Sequence, residues 1–269
     1  MQTNLLRCKA CTILRIENML TPIILTLAGL GAGALNAIAG GGTFLTFPAL
    51  VWAGIPPIMA NATATFAALP GYAGSAWAYR EDIETDGRPS LRRLILTSIA
   101  GGLIGAGLLL VTPEDLFSGV VPWLLLIATV AFAAGPWLAR LAARSGQHMS
   151  ESGALGLIFT VSVYGGYFNG GLGIMLLAAF GVVGMNNLHR MNGLKNLMSG
   201  ILSVVAVLTY TIAGLIDWSG LIIVGVSCAI GGHLGAALAR RIQNTAVLRG
   251  FIVSIGLTMV LIFFVRSLG

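Results

Sequence analysis

A glycine-rich break that occurs twice in uncharged sequence constrains this chain more than any other feature. The first copy, Gly40-Gly41-Gly42, lies in a stretch without a charged residue from Asn18 to Tyr79. The second copy, Gly170-Gly171-Leu172-Gly173, lies in an uncharged stretch from Ser152 to Leu188. A helix that breaks within a bilayer is tolerated only where protein or a polar cavity surrounds the freed backbone. Two breaks in corresponding places therefore predict a membrane protein with a binding site between two repeats.

The composition excludes a soluble globular fold. Apolar residues make up 57% of the chain and charged residues 9%, whereas soluble domains contain roughly 25% charged residues. We therefore predict an all-α, polytopic helical protein that passes several times through the cell inner membrane. The net charge of +6 is spread over short loops, which is typical of a topology signal and not of a protein that binds nucleic acid.

Ten apolar segments follow one another along the chain, and a full crossing needs about 20 residues. The second and seventh segments are short, which predicts half-spans or re-entrant arms and about 8–10 membrane segments in total. The segments cover residues 22–39, 43–57, 60–79, 94–112, 118–139, 152–168, 173–186, 192–214, 219–238 and 248–266.

The two halves of the chain align with each other, which predicts two structural repeats. An offset of 131 residues places Gly40 on Gly171 and Asn61 on Asn192. The tail that precedes the first repeat is either a short interfacial segment or an overextended reading frame. The predicted parts are an N-terminal tail at 1–20, a first transmembrane repeat at 21–141, a linker at 142–151 and a second transmembrane repeat at 152–269.

Loop charges indicate how the repeats are oriented. The loop after the third segment carries four arginines between residues 80 and 93, whereas its counterpart in the second repeat carries only Asp217. The loops after the fourth segments show the reverse, with Glu114 and Asp115 in the first repeat and arginines in the second. Because basic loops prefer the cytoplasm, corresponding loops lie on opposite sides, which predicts inverted repeats. An eight-crossing arrangement with parallel repeats is the alternative, since it keeps the basic tail inside.

Further motifs accompany the breaks in a fixed order. The first half contains Gly31-x-Gly33, the glycine run followed by Thr43, Pro48, Gly54-Ile55-Pro56-Pro57 and Ala60-Asn61-Ala62-Thr63. The second half contains Gly170-Gly171-Leu172-Gly173 and Asn192-Gly193-Leu194-Lys195-Asn196. Over residues 22–268 this order resembles the TauE/SafE family of sulfite and sulfonate exporters, with a departure at Ala179, where that family often has proline. The resemblance implies a transporter of small sulfur-containing or organic anions, of unspecified substrate and direction.

The breaks and the segments that follow them supply the candidate binding residues. A helix that starts within the membrane exposes free backbone N–H groups and the positive end of its dipole, which suits an anion. Two such starts, one from each repeat, would face each other across the pseudo-twofold axis. The alternative is that the glycines only permit tight helix crossing. The predicted substrate-binding residues are Gly40, Gly41, Gly42, Thr43, Asn61, Thr65, Asn169, Gly170, Gly171, Gly173, Asn192, Lys195 and Asn196.

Lys195 is the only Lys, Arg, Asp or Glu well inside a predicted segment. With Asn192, Asn196, Ser199 and Ser203 it forms one polar stripe on an otherwise apolar helix. A lysine at the bilayer centre costs roughly 2.5–3.5 kcal/mol, so we expect this side chain to face the substrate. The alternative is that it snorkels to the lipid headgroups.

The resemblance and these residues together predict a transporter that moves sulfite, thiosulfate or an organosulfonate by alternating access between the repeats. One alternative is an anion channel, and another is an intramembrane enzyme or accessory subunit of sulfur metabolism that uses Cys228 or His233. We expect no enzyme activity, since no nucleophile motif or intramembrane carboxylate pair is present. Cys8 and Cys11 form a lone C-x-x-C, and a zinc site needs about four ligands, so we expect neither metal nor cofactor. The expected partners are the small anion and the lipid bilayer, and formation of a homodimer stays open.

Overall fold

The computed structural model describes residues 20–36, 41–85, 89–145, 149–185, 187–239 and 245–268. Regular structure in these ranges is helical throughout, so the predicted all-α fold is confirmed. Cys8, Cys11 and the rest of the predicted tail up to residue 19 lie outside the described residues. The helices are α1 (Leu20–Asn36), α2 (Thr43–Trp52), α3 (Pro57–Ala78), α4 (Leu91–Val111), α5 (Glu114–Ser145), α6 (Glu151–Tyr167), α7 (Leu172–Val183), α8 (Leu188–Ile212), α9 (Trp218–Ala239) and α10 (Thr245–Leu268).

The helices α2 and α7 are short, as their sequences predict. They contain 10 and 12 residues, so each spans about half of a hydrocarbon core about 30 Å thick. Three described helical stretches are long and apolar enough to cross a membrane by themselves, and they are 91–111, 114–131 and 190–212. Shorter apolar stretches lie in α1, α2, α7, α9 and α10. This pattern is that of a multi-pass helical membrane protein.

The outer surface of the bundle is suited to lipid. Large apolar side chains are exposed along α4, α5, α8, α9 and α10. The five tryptophans are 47–72% exposed, and tryptophan rings favour the level of the lipid headgroups. They are Trp52, Trp77, Trp123, Trp137 and Trp218.

The fourth helix of each repeat packs on the first helix of the other repeat. A Cβ atom placed on Gly101 of α4 would lie 2.7 Å from the Cβ atom of Ser162 of α6. In the same way, a Cβ atom on Gly29 of α1 would lie 2.6 Å from the Cβ atom of Ser227 of α9. Backbones approach this closely only where a side chain is missing. The glycines of α1 and α4 therefore link the two repeats by equivalent contacts.

One end of the bundle joins the starts of three helices. Arg93 at the start of α4 forms an ion pair of 2.6 Å with Glu151 at the start of α6. Arg190 at the start of α8 forms an ion pair of 3.3 Å with Glu84, which lies in the loop after α3. We call this the arginine end. The helices α4, α6 and α8 begin there, and α3 ends there.

The opposite end carries acidic residues and joins the starts of three other helices. The Ile58 amide at the start of α3 donates a hydrogen bond of 3.0 Å to Glu114 Oε1 at the start of α5. The Asp217 amide, just before α9, donates a hydrogen bond of 3.0 Å to Thr63 Oγ1 of α3. We call this the acidic end. The helices α3, α5 and α9 begin there.

Equivalent helices of the two repeats therefore run in opposite directions. α3 begins at the acidic end, whereas its counterpart α8 begins at the arginine end. α4 begins at the arginine end, whereas its counterpart α9 begins at the acidic end. The predicted inverted repeats are confirmed, and the alternative with parallel repeats is wrong. Arg88, Arg240 and Arg241, which also supported this prediction, lie outside the described residues.

Candidate functional site

The two glycine breaks meet in the middle of the bundle. Thr43 Oγ1 at the start of α2 donates a hydrogen bond of 3.3 Å to the Asn169 carbonyl, which lies in the second break. A Cβ atom on Gly171 would lie 3.3 Å from the Phe44 ring, and one on Gly41 would lie 3.7 Å from Ile174. The starts of α2 and α7 thus face each other, one from each repeat. Gly40, another predicted site residue, lies outside the described residues.

Several glycines of the breaks allow close packing in this conformation. The Gly42 amide donates a hydrogen bond of 2.7 Å to Asn36 Oδ1, and a Cβ atom on Gly42 would lie 2.6 Å from Asn36 Nδ2. Gly171 has φ +75°, and a Cβ atom there would lie 2.7 Å from Ala128 Cβ. A Cβ atom on Gly170 would collide with the Phe168 ring. These contacts support tight packing at the three glycines, which the sequence left as an alternative to an anion cradle.

Gly41 differs from these glycines. A Cβ atom there would make ordinary contacts of 3.4–3.8 Å with side chains of Phe44, Ile174 and Leu35. Gly41 is therefore a position of the breaks where a small side chain fits without displacing its neighbours. Packing does not explain this glycine, so a role toward a ligand stays a prediction for it.

Asn169 connects the two repeats at the centre of the site. Its side chain is 2% exposed, and its Nδ2 donates a hydrogen bond of 3.0 Å to Ser203 Oγ of α8. Its carbonyl accepts the hydrogen bond from Thr43, while its Oδ1 is buried without a partner. A buried polar atom that lacks a partner costs about 1–3 kcal/mol. Because Oδ1 only accepts hydrogen bonds, the place beside it suits a water molecule or another hydrogen-bond donor.

The polar stripe of α8 is buried from Lys195 to Ser203. Lys195, Ser199 and Ser203 follow one another at intervals of four residues and are 3%, 0% and 1% exposed. Lys195 lies about two turns inside α8, and its burial within the bundle favours a site-facing side chain over the snorkelling alternative. None of the three ion pairs between described residues includes Lys195. Asn196, also in this helix, is 4% exposed.

The predicted site residues of α3 are already paired. Asn61 Nδ2 donates a hydrogen bond of 3.1 Å to the carbonyl of Tyr167 in the other repeat. Thr65 Oγ1 donates a hydrogen bond of 2.8 Å to the Asn61 carbonyl. Asn192, the counterpart of Asn61 in α8, is half-buried and also has a partner. Asn61 thus links the two repeats in this conformation, whereas Thr65 bonds within its own helix.

Sequence reasoning missed two residues next to the breaks. Asn36 ends α1 and caps the Gly42 amide. Thr46 of α2 is 2% exposed, and its hydroxyl has no hydrogen-bond partner. Thr46 could have been found from its spacing, because it follows Thr43 by three residues and so shares a helix face with it.

Within the part of the chain that the structure describes, neither residue of the enzyme alternative belongs to a cluster of three or more His, Cys, Asp or Glu side chains. His233 is exposed on α9, and Cys228 is 6% exposed.

Close to the polar stripe of α8, a groove of about 410 Å³ opens between α3, α4 and α8. Its walls are almost entirely apolar and include Tyr72, Ile99 and Gly200.

Comparison with known proteins identifies the family of this architecture. A family model described as sulfite exporter TauE/SafE matches residues 25–262. The probable membrane transporter protein ORF9 of Sinorhizobium sp. is 30% identical over 171 residues, which are 59% of this chain and 62% of that protein. The probable membrane transporter protein YfcA of Escherichia coli K12 is 25% identical over 254 residues, or 90% of each chain.

A third relative, a probable membrane transporter protein of Haemophilus influenzae, is 25% identical over 227 residues, which are 83% of this chain and 87% of that protein. No solved structure matches. The resemblance that the glycine motifs carry is thus confirmed across nearly the whole chain. The chain belongs to the TauE/SafE family of multi-pass membrane transporters.

Proposed function

We propose that the protein is a secondary transporter of a small anion, such as sulfite, thiosulfate or an organosulfonate, in the cell inner membrane. The observation that carries the proposal is the burial of Lys195, which is 3% exposed and has no ion-pair partner in the described part of the chain. A buried charge is costly unless it is paired. An anionic substrate supplies that pairing only while it is bound, which suits a carrier.

The facing starts of α2 and α7 add to the attraction for an anion. The dipole of each helix places partial positive charge at its start, although several amides there already donate to Asn36 and to carbonyls of the breaks. Thr43 and Asn61 now donate to carbonyls of the other repeat. When the contacts between α2–α3 and the second break open, these donors turn to the substrate. The conformation in the structure is therefore closed around the site. Opening of the site exchanges the hydrogen bonds of Thr43 and Asn61 within the protein for hydrogen bonds to the anion.

Alternating access occurs between two bodies that each contain helices of both repeats. In the first body, Phe66 of α3 packs on Trp218 of α9 at a ring distance of 6.1 Å, and α9 also packs tightly on α1. In the second body, Ser98 Oγ of α4 donates a hydrogen bond of 3.4 Å to Met198 Sδ of α8, and α4 also packs tightly on α6. Because packed interiors have low compressibility, we expect each of these groups of helices to move as a unit. We therefore take α1–α3–α9 and α4–α6–α8 as the moving bodies, with the packed faces of α3 and α8 as the interface between them, whereas the sequence alone suggested the two repeats.

The arginine end faces the cytoplasm in this proposal, because basic residues prefer that side. Labelling of single cysteines tests the orientation. We expect an impermeant thiol reagent outside the cell to modify a cysteine at Asp115, which is exposed at the acidic end, but not one at the exposed Arg92. Modification of both positions from the same side would contradict the orientation.

The proposed function is tested by thermal unfolding of the purified protein with a panel of anions. A ligand at 100 times its dissociation constant stabilises the folded state by about 2.7 kcal/mol, which raises the unfolding temperature by roughly 5–10 °C in a protein of this size. We expect sulfite, thiosulfate or an alkyl sulfonate to give this shift and chloride to give little. The absence of a shift with every sulfur anion would contradict the proposal.

Flux measurements separate a carrier from the two alternatives. Uptake into vesicles that saturates and is accelerated by anion on the far side indicates a carrier, whereas a channel shows no such acceleration. Unchanged transport in a Cys228→Ala, His233→Ala double variant would remove the enzyme alternative.

A further inference from the structure

Three buried polar atoms in the described part of the chain have no hydrogen-bond partner. They are Thr46 Oγ1, Asn169 Oδ1 and Ser199 Oγ. The three residues are 2%, 2% and 0% exposed. Buried polar groups are nearly always paired, so each exception needs an explanation. The three atoms belong to α2, the second break and α8, which is the region of the candidate site.

The hydrogen bonds of Asn169 relate the three atoms to one another. Its carbonyl is bound by Thr43 of α2, and its side chain is bound to Ser203 of α8. Thr46 lies one turn after Thr43 on the same face of α2, and Ser199 lies one turn before Ser203 on the same face of α8. Both free hydroxyls are therefore about one helical turn from the contacts of Asn169.

The helix directions place the two hydroxyls on opposite sides of Asn169. α2 runs from the centre to the acidic end, so Thr46 lies on the acidic side. α8 starts at the arginine end, so Ser199 and then Lys195 lie on the arginine side. Lys195, Ser199, Asn169 and Thr46 thus follow one another in a line that we call the file. With a rise of about 1.5 Å per residue along α8 and α2, the file from Lys195 to Thr46 is roughly 16 Å long. That is about half of the hydrocarbon core.

The file is not a by-product of the duplication. An offset of 131 residues places Thr46 on Leu177 and Ser199 on Ala68. The equivalent positions of the opposite repeats are thus apolar. A polar path exists on one side of the pseudo-twofold axis and has no copy on the other.

We propose that the file of Lys195, Ser199, Asn169 and Thr46 is the path of the anion through the closed centre of the protein. This inference rests on the proposed function and names the residues that select the substrate. The Thr46 and Ser199 hydroxyls can donate to an anion and have no internal bond to give up. The free Oδ1 of Asn169 is an acceptor, so Asn169 serves the anion through its Nδ2 group, which exchanges its bond to Ser203 Oγ for one to the anion. The apolar surroundings hold the anion to this file.

Isosteric variants with matched controls test the path. We expect Thr46→Val and Ser199→Ala to lower the initial rate of anion uptake into proteoliposomes by at least about tenfold, since each removes a hydrogen bond to a charged group. Their unfolding temperatures should stay equal or rise, because each change removes an unpaired buried hydroxyl. The controls are Thr129→Val and Ser162→Ala, which remove buried hydroxyls that already bond to Leu125 and Ile158 carbonyls at 2.7 Å. Uptake should be unchanged in the controls.

Cysteine accessibility gives a readout independent of activity. In a variant that lacks Cys8, Cys11 and Cys228, an impermeant thiol reagent should modify Thr46→Cys from the side of the acidic end only. It should modify Ser199→Cys from the side of the arginine end only. The anion that stabilises the protein most should slow both reactions.

The outcomes distinguish this inference from the proposed function. The path would be overturned by normal uptake in Thr46→Val and Ser199→Ala, or by no modification of either cysteine from any side. In that case, an anion-induced thermal shift of the wild-type protein would still support the proposed function. Failure of every anion to shift the unfolding of the wild-type protein would instead refute the proposed function.

Discussion

Replacement of Lys195 by methionine is the most direct test of anion binding, because it should move affinity and stability in opposite directions. The substitution keeps most of the side-chain length and removes the charge. A hydrogen bond to a charged group contributes about 1.5–3 kcal/mol, so we expect anion affinity to fall by roughly 10- to 150-fold. Insertion of a lysine at the centre of an apolar span costs roughly 2.5–3.5 kcal/mol. The free energy of unfolding of the anion-free protein should therefore rise in Lys195→Met by at most this amount.

Isothermal titration with the most stabilising anion and thermal unfolding without anion measure the two effects. Lys195→Arg should retain part of the affinity, because the charge stays while its geometry changes. Leu194→Met is a matched control, since it places methionine at the adjacent, fully buried position and keeps the charge. Equal affinity of the wild type and Lys195→Met would refute the role of Lys195. A less stable anion-free Lys195→Met protein would also refute it, because the ammonium would then have a partner within the protein.

Distances in the structure support three further predictions. Gly171→Ala should destabilise the protein by at least about 1–2 kcal/mol in thermal unfolding, since alanine resists φ +75° and its Cβ would lie 2.7 Å from Ala128 Cβ. Gly41→Ala should change stability little, which makes it the variant of choice for testing whether the break binds an anion. A disulfide between Tyr72→Cys and Gly200→Cys should stop transport when it is oxidised, because it joins α3 to α8 and so links the two moving bodies.

The geometry at Tyr72 and Gly200 permits that disulfide. A Cβ atom on Gly200 would lie 3.7 Å from Tyr72 Cβ, and disulfides have Cβ–Cβ distances of about 3.5–4.5 Å. The reduced protein is the reference for the oxidised one, in a variant that lacks the native cysteines. A second pair, Ser98→Cys and Ser162→Cys, joins α4 to α6 within one body, where the hydroxyl oxygens are 3.3 Å apart. Transport that continues in the first oxidised pair, or stops in the second, would contradict the two bodies.

The helices and their directions could be predicted from the sequence because the bilayer imposes simple rules. An apolar segment in lipid must satisfy its backbone internally, so each apolar segment between breaks or loops becomes a helix whose length is set by the apolar run. The short α2 and α7 were visible from the glycines that precede them. Opposite charges on corresponding loops, such as Asp217 against the arginines after α3, were sufficient to predict inversion.

Tertiary structure decided which helices pack together and which donors are free. The pairing of α4 with α6 depends on a match between Gly101 and Ser162, which are far apart in the sequence and carry no local signal. Asn61 and Thr43 looked like open donors but bond to carbonyls of the other repeat. Thr46 looked like an ordinary helical threonine, and yet its hydroxyl is unpaired. A residue's type and spacing show that a polar atom lies on a buried face, but whether that atom finds a partner depends on the neighbouring helices that the fold brings to it.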